Sequence, residues 1–129
     1  MSSTDGFLVE ADLKLTWGEK RILDPIAFRV LQSLSQTDCI QDAVKLSGVP
    51  YRTAWEHLRN AEKGIGQNLV NTRSGGAHGG GSVLTPLGQS ILSLYGEASR
   101  EHEHCLHAIN QRLDQEWNRP LRHLGGFPC

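Results

Sequence analysis

Two stretches of this 129-residue chain carry side chains in patterns able to do chemistry. The first, PYRTAWEHLRNAEK from Pro50 to Lys63, sets Arg52 and Arg59 among Tyr51, Thr53 and Trp55. Cations interleaved with aromatics and a hydroxyl suit a nucleic acid. Arg bonds guanine bidentately, Thr reaches a base or a methyl group, and Tyr donates to phosphate. Glu56 accepts from cytosine or holds Arg52 or Arg59 through helical spacing. Trp55 packs on a neighbouring hairpin or on a sugar. The second stretch, RSGGAHGGGSVLTPLG over 73–88, has five glycines within seven positions. Glycines let a backbone approach phosphate and expose its N–H donors. Arg73 and His78 add charge or reach a minor groove, and Ser74, Gly75, Gly76 and Gly79 complete this candidate contact set.

Other chemistries fit less well. A phosphate-binding P-loop needs a lysine and a Ser/Thr directly after its glycines, and neither is present. A dinucleotide fold needs repeated strand–helix–strand units, for which the chain is too short and too helical. In EHEHCLHAI, residues 101–109, His104 and His107 stand three apart, and His102 and Cys105 form a second such pair. Imidazole and thiolate suit zinc, copper or nickel. Four ligands spread around one helix cannot close a tetrahedral site, however, so a partner subunit would have to complete it. We assign no metal and no cofactor on this basis. No Ser/His/Asp, Cys/His or paired-carboxylate arrangement is evident, so an enzyme is not expected.

The elements that must position these residues follow from local patterns. Residues 7–17 alternate apolar and polar from Val9, predicting a short strand. Asp24-Pro25 predicts a helix start, with Ala27, Val30, Leu31 and Leu34 on its inner face and an end near 35–37. Asp38 and Gln41 form a capping pair for a second helix, carrying Ile40, Ala43 and Val44 and ending at Gly48. A third helix runs from Pro50, buries Ala54, Leu58, Ala61 and Ile65, and ends at 64–66. A short helix, a tight glycine turn and another helix form a helix-turn-helix. Strands over 69–73 and 82–84 then flank the glycines as a hairpin. Thr85-Pro86 starts a long helix to about Trp117. Its seam of Leu87, Ile91, Leu94, Ala98, Leu106, Ile109 and Leu113 is too long for a small core to cover, so a second copy is the expected partner.

The fold class is therefore mainly α with a small β-hairpin: a winged helix-turn-helix followed by a long C-terminal dimerisation helix. The expected organisation is a flexible N-terminus at 1–8, the DNA-binding domain at 9–85, the dimerisation helix at 86–117 and a loose tail at 118–129. Composition agrees with a globular chain: 21% charged, 38% apolar, net charge −1. The average hides polarity. Residues 49–82 carry four cations against two anions, whereas 97–117 carry two against five. Cys39, Cys105 and Cys129 are odd in number and show no C-x-x-C spacing, so no disulfide framework or zinc knuckle is expected. The start lacks a signal-peptide pattern and no apolar run is long enough to span a bilayer, so a cytoplasmic protein without membrane contact is expected.

Three stretches resemble the ModE N-terminal family of LysR-like winged helix-turn-helix DNA-binding domains. SGVPYRTAWEHLRNAE is similar to its recognition helix. TRSGGAHGGGSVLTPLGQSILSLY is similar to its glycine-rich wing followed by L-T-x-x-G. LKLTWGEKRILDPIAFRVLQSL is more loosely similar to its opening strand and first helix. Together they cover roughly residues 10–115. The resemblance implies a homodimeric transcription regulator that binds duplex DNA at a palindromic operator, with the long helix contributing to the dimer. It also implies a link to molybdenum or related metal metabolism. The family's C-terminal molybdate-binding domains have no counterpart here, so a stand-alone form is expected, and no small-molecule effector site is identified. Two other readings stay open: a winged-helix protein-interaction adaptor, and a metal-sensing regulator that uses the His/Cys segment.

Overall fold

The computed structural model describes residues 5–72 and 81–125. The described residues form two compact units, one of Asp12–Ala98 and one of residues 5–11 with 99–125. Six candidate residues, Arg73, Ser74, Gly75, Gly76, His78 and Gly79, lie outside the described residues.

The larger unit opens with an antiparallel hairpin, β1 (Leu15–Trp17) and β2 (Lys20–Leu23). This corrects the expected single strand over 7–17. Only its last three residues have a strand partner, and that partner lacks the alternation of a half-buried strand because Ile22 and Leu23 are adjacent and both buried. Gly18, at φ +62°, was the available signal: it is the first residue of the two-residue turn, a position that favours glycine.

Helix α1 (Pro25–Leu34) begins as its Asp-Pro start predicts, with Asp24 Oδ1 accepting from the Ala27 N–H at 2.8 Å. Helix α2 (Ile40–Ser47) is capped by Cys39, whose Sγ accepts from the Asp42 N–H, and not by the expected Asp38–Gln41 pair. Asp38 is engaged elsewhere: its carbonyl accepts from Ser82 N–H at 2.7 Å. Gly48 ends α2 at φ +73°, a left-handed conformation that reverses the chain into helix α3 (Tyr51–Ile65). Strands β3 (Val70–Thr72) and β4 (Ser82–Leu84) pair antiparallel, with Val70 opposite Leu84. Helix α4 (Pro86–Leu113) follows directly.

One core joins these elements. It contains Leu23, Val30, Leu31 and Leu34, Ala54, Leu58 and Ala61 from the inner face of α3, and Leu69, Leu84 and Ile91. The apolar positions picked out by periodicity on α1 are buried, as are Ala54, Leu58 and Ala61 on α3, because helix geometry brings residues three and four apart onto one face; Ile65, expected to be buried with them, is half-buried at the end of the helix. Tyr95 packs on Phe28 and donates its hydroxyl to the Leu13 carbonyl at 2.7 Å. Burial, then the charges of Asp24 and Asp12, push its phenol above the ordinary tyrosine range.

In the smaller unit, α4 passes into a π-helical turn (Asp114–Asn118) and a short helix α5 (Arg119–His123). The segment expected to be loose from 118 is thus helical through His123. Two asparagines hold the N-terminal segment by its backbone. Asn118 bonds both the N–H and the carbonyl of Phe7, and Asn110 does the same for Val9. Burial works against ionisation of Asp114, but hydrogen bonds from Arg122 and Asn118, the Arg122 charge and a further bond from Arg119 outweigh it. Its carboxyl lies below the usual range.

Candidate nucleic-acid interface

Helix α3 presents two rows of side chains on its outer half, each at four-residue spacing, with Trp55 of the second row reaching back onto the core. One is Arg52, Glu56 and Asn60; the other is Tyr51, Trp55, Arg59 and Lys63. Both rows exist because Ala54, Leu58 and Ala61 occupy the opposite face, and the two alanines let α3 sit close to the core. In the first row, Arg52 Nε lies 3.6 Å from Glu56 Oε1 in an open i, i+4 pair. In the second, the Tyr51 and Trp55 rings meet edge to face at 6.3 Å, and the Arg59 guanidinium lies 5.1 Å from the centroid of Trp55. Trp55 is half-buried against the core, so it gives Arg59 a fixed platform. That contact is worth about 0.5–1 kcal/mol at an exposed site. Thr53 is half-buried on the flank. Among the described residues no side chain caps the first turn of α3, which leaves its leading amides available to an anion.

Several further residues organise this surface. Asn60 and Lys63 extend the two rows, and helical spacing from Glu56 and Arg59 was the signal that could have added them. His57 points the other way, with Nδ1 3.7 Å from the Asp24 carboxylate that caps α1. Glu62 turns toward the hairpin, and its Oε2 accepts from the Leu69 N–H at 2.8 Å and the Val70 N–H at 3.2 Å. No local pattern announces either contact, since both partners depend on how the elements pack.

The base of the β3–β4 hairpin is fixed on its other side as well. Thr85 donates its backbone N–H to the Leu69 carbonyl at 2.9 Å and its hydroxyl to the Asn68 carbonyl at 2.8 Å. The same hydroxyl accepts from the Gly88 N–H at 3.0 Å, capping α4. A Cβ at Gly88 would overlap the Leu69 carbonyl oxygen. The L-T-x-x-G pattern is thus a packing device, with Leu84 in the core, Thr85 as cap and strand anchor, and glycine where helix meets strand.

On α4, Ile91 is buried in the core and Leu87 is half-buried against it, whereas Leu94 and Ile109 are exposed. Ala98, Leu106 and Leu113 are half-buried. His104 and His107 line an open surface depression with Arg100 and Glu103; His102 and Cys105 are not part of it. Among the described residues no three His, Cys, Asp or Glu side chains converge on a point where a metal would sit. No helix among them is long and apolar enough to cross a membrane.

No family profile matches the chain. It is 34% identical over 87 residues, or 67% of its length, to the transcriptional regulator ModE of Haemophilus influenzae. It is 32% identical over 115 residues, or 89% of its length, to the molybdenum transport protein ModE of Herbaspirillum seropedicae. Identity to the DNA-binding transcriptional dual regulator ModE of Escherichia coli is 31% over 83 residues. These matches cover 34%, 41% and 32% of the relatives, so the chain spans about a third to two fifths of the length of these curated proteins.

Proposed function

The chain is homologous to the N-terminal region of the ModE transcriptional regulators over about 65–90% of its length, and we propose on that footing that it is a ModE-like regulator binding double-stranded DNA by sequence. The observation that carries this reading is the outward face of α3. As the second helix of a helix-turn-helix it sets Arg52, Arg59, Asn60 and Lys63 on one exposed surface. A recognition helix enters the major groove with its N-terminal residues nearest the base edges, which assigns Arg52, Thr53 and Glu56 to base reading and Tyr51 to an adjoining phosphate. Arg59 and Lys63, further along, take phosphates. The glycine-rich segment over 73–80 contributes backbone donors to the same duplex.

Two further parts belong to the proposal. A homodimer formed through the exposed positions of α4 presents two recognition helices to a palindromic operator, with half-sites about one DNA turn, roughly 34 Å, apart. The regulated genes serve molybdenum or related metal handling, in line with the names of the relatives. A gel shift with duplexes selected from a random-sequence pool, repeated across salt concentrations, is the direct test. Binding should fall steeply with salt, the logarithmic slope being about −0.9 for each neutralised phosphate. Absence of any selected duplex would sink the reading in favour of a protein-interaction adaptor.

A further inference from the structure

We propose that Glu62 is a positioning residue for DNA binding, its carboxylate setting the β3–β4 hairpin at a defined angle to the recognition helix. The proposal rests on the DNA-binding reading above. Glu62 lies in the last turn of α3, where an acidic group opposes the helix dipole. It is also a negative charge on an element that is to meet a polyanion, next to Lys63 in sequence. Both features disfavour an acid here, so something must offset them.

The offset is a two-pronged contact with the hairpin. One oxygen, Oε2, accepts from consecutive amides, Leu69 at 2.8 Å and Val70 at 3.2 Å. Hydrogen bonds to a charged acceptor are stronger than neutral ones. Between helix and strand the chain turns at Gly66, in a left-handed conformation, and continues through exposed Gln67 and Asn68. Leu69 and Val70 are held in the core shared with α3, and across that short connection Glu62 adds a polar tie from helix to strand. The other attachments of the hairpin reach different elements: Ser82 bonds the loop before α2 through Asp38, and Thr85 joins the start of α4 to Leu69. Loss of Glu62 therefore leaves the hairpin formed and anchored in the core through Leu69, Val70 and Leu84, while loosening its angle to α3.

The test compares full-length wild type, Glu62→Ala and Glu62→Gln on double-stranded DNA that the wild type selects from a random-sequence pool. Charge alone predicts tighter binding when an acid is removed. The positioning role predicts the opposite sign, with Glu62→Ala about tenfold weaker. Its logarithmic salt slope should be shallower by about one, because a misplaced hairpin forfeits a phosphate contact. Glu62→Gln retains an acceptor oxygen and should stay within about threefold of wild type. Amide hydrogen exchange at Leu69 and Val70 should accelerate in the alanine variant alone. Binding by Glu62→Ala equal to or tighter than wild type overturns the proposal, as does a weaker complex with an unchanged salt slope and a lowered melting temperature, which marks a merely structural loss. A wild type that selects no duplex overturns the DNA-binding reading itself, an outcome distinct from a wild type that binds and an alanine variant that binds as well.

Discussion

Arg52 and Arg59 are the same residue type on the same helix, yet their surroundings assign them different work. Arg52 is 93% exposed and its partner Glu56 64% exposed, at 3.6 Å. An i, i+4 pair this open contributes about 0.3–0.5 kcal/mol. Under the proposed DNA-binding reading, a guanine edge or a phosphate would displace Glu56 at little cost and leave Arg52 to read a base. Arg59 instead lies over the half-buried Trp55 ring, which fixes its direction before any ligand arrives. On this basis Arg52→Ala should relax base preference by roughly 1–3 kcal/mol. Its unfolding free energy should stay within about 0.5 kcal/mol of wild type, as for other exposed substitutions. Competition among duplexes that differ at single base pairs measures the first quantity. An unaltered preference would remove Arg52 from the base-reading set.

The contacts that join elements are made mostly by side chains to backbone. Glu62 ties α3 to β3, Thr85 ties β3 to α4, and Asp24 caps α1 while lying near His57 of α3. Gly88 is the tightest of these junctions, since a side chain there would meet backbone, which cannot swing aside. Alanine favours helix over glycine by up to about 1 kcal/mol. Overpacking costs about 1–3 kcal/mol, and a rigid carbonyl places this case toward the upper end. Gly88→Ala should therefore lower stability by about 1–2 kcal/mol net, read from chemical denaturation. A variant as stable as wild type would show that the helix–strand junction yields, and the packing account of L-T-x-x-G would fail. Thr85, Gly48 and Gly66 are visible as punctuation in the sequence, as is Gly88 in L-T-x-x-G, whereas what each one touches is not.

At the scale of the molecule, the two units differ in what holds them. Every buried apolar side chain among the described residues belongs to Asp12–Ala98. In the unit of 5–11 and 99–125 the one buried side chain is Asn118, while Phe7, Leu8, Ile109, Trp117 and Leu124 are exposed. Its order comes from asparagine–backbone bonds and the Asp114 ion pairs, which contribute little when solvated. The proposed homodimer would cover this exposed apolar surface. Ile109→Glu should therefore give monomers in sedimentation, together with reduced affinity for a palindromic duplex. A dimer that survives the substitution would move the interface off this part of α4.

The linear order of residues determined helices α1 to α4, most of their inner faces and the hairpin between α3 and α4, because each of these is set by local periodicity, caps and turn residues. It also determined the exposed rows of α3, since the opposite face had to be buried. Tertiary structure alone decided the rest. The cap of α2 passed to Cys39, with the Asp38 carbonyl bonded to β4. The first hairpin needed α3 to bury Ile22 and Leu23 before KRIL read as a strand. Glu62 and His57, indistinguishable in sequence from other polar residues of a solvated helix, became junctions through amides and a carboxylate brought to them from other elements. A one-dimensional pattern reports which residues share a face. It does not report which backbone group, remote along the chain, will face them.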